Sequence, residues 1–476
     1  MIVLGIETSC DETAASVVKD GNELLSNVVF SSMDLHKAYG GVVPEIAARS
    51  HIESIIPVIE QALTEAFSFE NTKSEIRNPK QKPNPKLEKR NMKNESEPWD
   101  NIDAIAVTYG AGLGGSLLVG VMTARTLALT KNKPLYAINH VEGHVYANFL
   151  TKTTLPNYQL PTSTPQFPLL ALIVSGGHSQ LALFRDHFDY TLLGQTRDDA
   201  IGEAFDKVAK ITGLPYPGGP SIAEVAKKGD PFAYKLPKSR LDGTNEALTL
   251  LRTSYEKHEA RNTKHETDQK SEAPNSVCTI KPSLFTLHSS PSSALPNYDF
   301  SFSGLKTAVL RLAQEEIGQD YTFPSFELPE RLSEVQKNNI AASFQRVAIE
   351  TVVDKTIQAY EEFQPKSVVI AGGVAANQEL RRQLSERLDS INSKSEVPKI
   401  KQIQNSKSEK RNMKQEKVTK HETGKTINTT DIVQYTDIKL CTDNGAMIAT
   451  LGCFKAMHDQ EPVDPYTLQI EPNLSM

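Results

Sequence analysis

The sequence predicts an α/β protein with a nucleotide cleft between two lobes, and two observations carry that expectation. Short apolar segments suited to strands alternate with amphipathic helical stretches. Three of those segments run into turns rich in glycine and small hydroxyl residues, at 5–13 (GIETSCDET), 174–179 (VSGGHS) and 370–377 (IAGGVAAN). Glycine lets a backbone approach a ligand closely, and free N–H groups in such turns hold phosphate oxygens. A tight turn alone explains any one of them. Three on successive strands, the first ending in acidic side chains, point to one shared cleft.

Segments 2–6, 102–108, 135–138, 169–174 and 367–370 are short and apolar enough to be strands. The strongest helix starts at Pro44, where a first-turn residue loses nothing by lacking an N–H, and runs through Ile46, Ile52, Ile55, Ile56 and Ile59. No residue between 105 and 124 is charged, but Gly110, Gly112, Gly114, Gly115 and Gly120 break the run. It reads as strand, glycine loop and helix, not as a membrane span.

A length of 476 residues suggests two or three domains. The expected division is a first lobe at 1–150, a second at 166–450 and a C-terminal segment at 451–476. With 52 basic and 58 acidic residues the net charge is −6, which excludes a wholly basic nucleic-acid surface and leaves room for a local patch. Cys10, Cys278, Cys441 and Cys453 form no C-x-x-C, so neither a disulfide scaffold nor a zinc finger is expected, and a reducing cytoplasm fits. The first residues lack a basic n-region and a small-residue cleavage site, so secretion is not expected.

The hydrophobic content of 38% is low because of three polar stretches without period, at 70–97, 255–275 within a broader 235–297, and 392–430. They are expected to be disordered insertions. EKRNMK recurs at 88–93 and 409–414, and TKHET at 263–267 and 419–423, which suggests a spread sequence element or convergent linkers. Stretch 70–97 holds eight basic against five acidic residues, and 392–430 ten against four, so the frame without them is more acidic than the whole.

The second chemical feature is 140–144 (HVEGH). On a helix, residues four apart share a face, so His140 and His144 can reach one divalent cation, and Asp443 at the start of another apolar helix offers a carboxylate. A zinc-protease reading is disfavoured: its glutamate directly follows the first histidine, whereas Glu142 is rotated about 200° away from His140. Ser175 and His178 do not form a nucleophile elbow, because Ile173 stands where a glycine is needed. A phosphate or carbonyl cradle suits that turn better. Asp206 can accept hydrogen bonds from ligand hydroxyls, although most helical acids are simply exposed. Lys227, Lys228, Lys235, Lys238 and Arg240 make a basic stretch able to meet a phosphate backbone.

Together these residues resemble the tRNA threonylcarbamoyladenosine transferase family of TsaD type, once labelled O-sialoglycoprotein endopeptidase. The likeness covers 5–13, 36–51 (HKAYGGVVPEIAARSH), 108–120 (TYGAGLGGSLLVG), 139–144 (NHVEGH), 174–181 (VSGGHSQL), 202–220, 299–306 (DFSFSGLK), 371–380 (AGGVAANQEL) and 441–449 (CTDNGAMIA). It implies a two-lobed, actin-like ATPase fold of the sugar-kinase and Hsp70 type. It implies transfer of a threonylcarbamoyl group from threonylcarbamoyl-AMP to N6 of adenosine 37 in tRNAs reading codons that begin with A. By the same resemblance His140, His144 and Asp443 are the metal ligands, for Fe2+ first and Zn2+ as the alternative. Ile173, Val174, Ser175, Gly176 and Gly177 hold the donor, with Asp206, Gly219 and Asn377 around its nucleoside. Asp11 and Glu12 are the polar groups placed to assist proton transfer. The implied partners are tRNA, a TsaB-type pseudo-enzyme and a TsaE-type ATPase in the cytoplasm, with no membrane. The gap from Asn377 to Asp443 exceeds the family's usual spacing, and insertion 392–430 accounts for the excess. A kinase or chaperone-like ATPase of the same fold would use the three turns but has no reason to keep the histidine pair.

Overall fold

The computed structural model describes residues 1–73, 97–238, 297–404 and 432–476. Its strands form two sheets on one plan. The first has the order β5-β4-β1-β2-β3-β6, with β1 Ile2–Glu7, β2 Glu12–Lys19, β3 Glu23–Ser31, β4 Ala104–Gly110, β5 Leu135–Asn139 and β6 Lys152–Thr153. The second has the order β11-β10-β7-β8-β9, with β7 Leu169–Val174, β8 Ser179–Asp186, β9 Asp189–Gln195, β10 Ser367–Ala371 and β11 Val433–Tyr435. In each, an antiparallel meander opens the sheet and two later strands add in parallel beside its first strand. This duplicated topology is the two-lobed, actin-like α/β fold expected from the sequence.

All five expected strands are present, as β1, β4, β5, β7 and β10, whereas the sequence pattern does not mark β2, β3, β6, β8, β9 and β11. Continuous apolar runs betray strands covered on both faces, such as β7, where every residue is buried. β3 is covered less completely: its burial alternates, and Ser26 takes an inward position where its hydroxyl receives the Val17 N–H at 3.1 Å.

Among the described residues the helices longer than a single turn are α1 Pro44–Lys73, α2 Gly114–Lys131, α3 His140–Tyr146, α4 Ile201–Thr212, α5 Gly218–Ala226, α6 Ser303–Glu316, α7 Glu334–Phe363, α8 Gln378–Gln404 and α9 Gly445–Met457. On α1 the expected stripe divides. Ile55 and Ile59 are buried with Val58, Ala62 and Leu63, whereas Ile52 and Ile56 are 66% and 48% exposed. Both α1 and α8 run on into stretches expected to be disordered, to Lys73 and Gln404. Extending a formed helix adds one hydrogen bond per residue fixed, so a polar continuation is easily recruited. The remainder of the three insertions, with the repeated words, Arg240 and Cys278, lies outside the described residues.

Strand period divides β7 between two cores. Leu170, Leu172 and Val174 join α4, α6 and α7, while Leu169, Ala171 and Ile173 face a core between the sheets that holds α3 and α9. Helix α9 lies so close to β1 that a Cβ on Gly5 would stand 2.3 Å from the Gly445 carbonyl oxygen and 2.4 Å from the Ala449 nitrogen. Only glycine permits that approach. Among the described residues no helix is long and apolar enough to cross a membrane.

At the strand ends away from the glycine turns, His187 packs between Phe454 (ring centroids 4.4 Å, stacked) and Phe167 (4.8 Å, edge-on) and bonds the Tyr146 hydroxyl at 3.1 Å. Burial, then the neighbouring His458, pushes its pKa down from 6.5 to about 4. The unfolded chain therefore binds more protons between those values, so the stability from neutral His187 is complete above pH 6.5 and is lost as pH falls towards 4. Because the ring is partly solvated, the expected loss is about 1 kcal/mol. Urea midpoints from pH 7 to pH 4 should show it, and His187→Phe should flatten that part of the profile.

Candidate active site

The three turns lie at the C-terminal end of a first or parallel strand, the end at which open α/β sheets bind ligands. Gly5, the one glycine of segment 5–13, lies within β1 and packs against α9, so the first turn itself has no glycine. The turn after β1 carries Ser9, Cys10, Asp11 and Glu12. Its backbone is held at two consecutive carbonyls. His51 Nε2–H and the Ser116 hydroxyl donate to the Cys10 oxygen at 3.0 and 3.1 Å. The Ser32 N–H and hydroxyl donate to the Asp11 oxygen at 3.0 and 2.9 Å, and that hydroxyl also meets His36 Nε2 at 3.1 Å. Both histidines of segment 36–51 are fully buried and serve as clasps for this turn.

Helix α3 begins where Asn139 accepts the N–H groups of Val141 and Glu142, which sets His140 and His144 one turn apart above the cleft. Asp443 arrives from the turn before α9, itself capped by Asn444. Its Oδ1 lies 3.6 Å from His140 Nε2 and 3.4 Å from His144 Nε2, and the three donor atoms all fall within 4.8 Å of one another. Asp443, remote in sequence, is thus brought against the two histidines that share one face of α3. The Asp443 and Glu7 carboxylates outweigh burial and hold His140 at about 9, and His140 and His144 hold Asp443 well below the usual carboxylate range despite its burial.

The turn after β7 is closed by its own bonds, Ser175 N–H to the His178 carbonyl (2.8 Å) and His178 N–H to Ser175 Oγ (3.1 Å). Nothing stands within 4 Å of a Cβ built on Gly176 or Gly177, so the turn offers bare backbone to the cleft. His178 stands beside the metal-ligand candidates, with its ring 6.3 Å from that of His140, and burial plus the two neighbouring histidines pushes it down to about 4. Ile173 and Val174 are fully buried, each in a hydrophobic core, so only their backbone can face a ligand.

Other candidate positions have structural work as well. Asp206 Oδ1 accepts the Gly218 N–H at 2.7 Å at the start of α5, and burial raises its pKa. Asn377 Oδ1 accepts from Glu379 and Leu380 at 2.9 and 3.2 Å, capping α8, while its amide donates to Gln345 at 3.0 Å. A Cβ on Gly219 would meet open space. Burial, then Asp443 and Asp11, pushes Glu12 well above the usual carboxylate range. In the basic stretch, Lys238 is paired with Glu350 and Asp354 at 2.8 and 3.0 Å and Lys227 with Glu224 at 2.9 Å, while Lys228 and Lys235 are exposed.

Comparison with known proteins now decides the family. The family model for TsaD, tRNA N6-adenosine threonylcarbamoyltransferase, matches residues 23–74, 86–279 and 269–411. A tRNA N6-adenosine threonylcarbamoyltransferase of Thermomicrobium roseum is 41% identical over 393 residues, 81% of this chain and 84% of its own. One of Caldicellulosiruptor saccharolyticus is 36% identical over 476 residues, 100% of this chain and 98% of its own. The chain belongs to the TsaD family.

TsaD proteins are transferases of tRNA modification, and the family is metal-dependent. The donor set fits a cation on grounds internal to this TsaD chain. Neither ring nitrogen of buried His144 has a hydrogen-bond partner, and Nε2 meets only the poorly aligned Asp443 oxygen. Metal bonds of roughly 2.1 Å at tetrahedral angles place ligand atoms about 3.4 Å apart, close to the 3.6 and 3.4 Å from Asp443 Oδ1 to the two imidazoles. One residue of the centre was missed in the sequence: Glu7, wholly buried, whose Oε2 lies 3.3 Å from His140 Nδ1. Its signal was a single carboxylate closing an otherwise apolar strand.

Proposed function

We propose that this TsaD-family enzyme transfers a threonylcarbamoyl group from threonylcarbamoyl-AMP to N6 of adenosine 37 in tRNAs reading codons that begin with A. The observation that carries the reading is the convergence of two buried imidazoles and a half-buried carboxylate, mutually facing, with a bare glycine turn and a carboxyl of raised pKa in one cleft. His140, His144 and Asp443 would hold Fe2+, or Zn2+ in its place. Such an ion, when bound, supplies Lewis acidity beside the reacting carbonyl.

The remaining work falls to the chain. Backbone N–H groups of the turn at Ser175, Gly176 and Gly177 would cradle the adenylate, with Asp206, Gly219 and Asn377 around its nucleoside. Adenosine N6 forms a bond to the carbamoyl carbon, the bond from that carbon to the phosphate oxygen breaks, and AMP leaves. The proton released from N6 passes to Glu12 or Asp11. A carboxyl whose pKa burial has raised keeps an accepted proton more readily than an exposed one.

A TsaB-type pseudo-enzyme and a TsaE-type ATPase are the companions we expect, and a tRNA substrate supports a cytoplasmic location. The deciding experiment supplies the protein, its companions and synthetic donor to unmodified tRNA and analyses the nucleosides. Threonylcarbamoyladenosine should appear at position 37. Its absence with metal-loaded protein would refute the reading.

Binding of tRNA should depend on the basic stretch. Charge reversal at Lys227, Lys228 and Lys235 is expected to weaken tRNA binding roughly tenfold at moderate salt and to spare donor binding. Filter binding over a salt series would check this, and an unchanged affinity would place the tRNA elsewhere.

A further inference from the structure

Glu7 ends β1 with no exposed surface, and its carboxylate oxygens meet a backbone N–H, a hydroxyl and an imidazole nitrogen. Oε1 receives the Ser9 N–H at 2.5 Å. Oε2 receives the Thr108 hydroxyl from the end of β4 and faces His140 Nδ1 at 3.3 Å. Ser9 Oγ lies 3.1 Å from the same nitrogen, but a hydroxyl donates or accepts with equal ease and so does not decide which ring nitrogen bears hydrogen. A histidine that ligates a cation is neutral, with hydrogen on one ring nitrogen and a lone pair on the other. With Nδ1–H donating to Glu7 Oε2, the lone pair of His140 lies on Nε2, the nitrogen directed at Asp443.

We propose that Glu7 is a positioning residue for the metal centre: it fixes the ring orientation and tautomer of His140 so that Nε2 is free to bind a cation. This rests on the metal-centre reading above and deepens it. Glu7 itself touches neither cation nor substrate. A carboxylate is required here and a carboxamide will not serve. If the amide nitrogen of a glutamine takes the Oε1 position, it opposes the Ser9 N–H. If it takes the Oε2 position, it opposes Thr108 and obliges His140 Nδ1 to accept, which moves the ring hydrogen to Nε2 and blocks the ligand atom. Partners of this kind behind a ligating histidine typically change metal affinity about 10- to 100-fold.

The test uses the full chain, stripped of metal, with Zn2+ and anaerobic Fe2+ affinities measured by competition against a chromogenic chelator. His140→Ala should lose about 100-fold or more, Glu7→Gln about 10- to 100-fold, and Ser9→Ala no more than about threefold. The electronic spectrum of the Co2+-loaded protein adds a signature: Glu7→Gln should show the altered ligand field of a lost imidazole, whereas loss of a remote charge alone leaves the coordination bands in place. Wild-type affinity and spectrum in Glu7→Gln, with His140→Ala impaired, would overturn the proposal and leave the metal centre standing. Undiminished affinity in His140→Ala would overturn the metal centre itself. Should Glu7→Gln not fold by circular dichroism, Glu7→Asp and Glu7→Asn form a pair of equal length. The aspartate should bind Zn2+ about tenfold more tightly than the asparagine, and equal affinities would end the idea.

Discussion

His144→Ala and Asp443→Asn are each expected to abolish metal retention and lower single-turnover transfer by about 10³-fold or more, with the protein still folded. The size follows from the several kcal/mol that a Lewis acid contributes, at about 1.4 kcal/mol per tenfold in rate. That the fold should survive follows from the geometry. His144 is buried, yet its ring nitrogens make no hydrogen bond, so truncation leaves a cavity worth about 2 kcal/mol and strands no partner. Asp443→Asn keeps the volume and removes the charge that faces both imidazoles. Metal content after purification, melting temperature and modified-nucleoside yield together check the result. A variant that retains stoichiometric metal would show that the cation binds elsewhere.

The second large effect is expected at the turn after β1. Glu12→Gln and Asp11→Asn should identify the proton acceptor, and the one that serves should lose about 10²- to 10⁴-fold in single-turnover rate with donor affinity little changed. The pH dependence carries a sign. Burial, Asp443 and Asp11 raise the Glu12 pKa, and the acceptor must be ionised before it can take a proton. The wild-type rate should therefore increase as pH rises through that raised value, and Glu12→Gln should lose the limb. Rates undiminished in both variants would remove the pair from the chemistry.

Much of the site was visible in the sequence because its parts are local. The one-turn spacing of His140 and His144, the glycines of the turns after β7 and β10 and the acids after β1 are each set within a few residues. The basic stretch was less legible. Its charges could be counted, but the pairing of Lys238 with Glu350 and Asp354 is made across more than a hundred residues. Asp206 and Asn377 were marked for a ligand, and the fold shows that both side chains also hold helix starts.

The sequence by itself determined the α/β class, the five strands with short continuous apolar runs and the residue types able to bind a cation and an adenylate. These depend on periodicity and composition, which short-range sterics and hydrophobic burial impose along the chain. Only the tertiary structure decided that Glu7 stands behind His140, that His36 and His51 clasp the acidic turn, and that Ile52 and Ile56 face outward. Those relations join segments from different strands and helices, and a hydrogen-bond partner supplied by another element leaves no periodic trace in the chain.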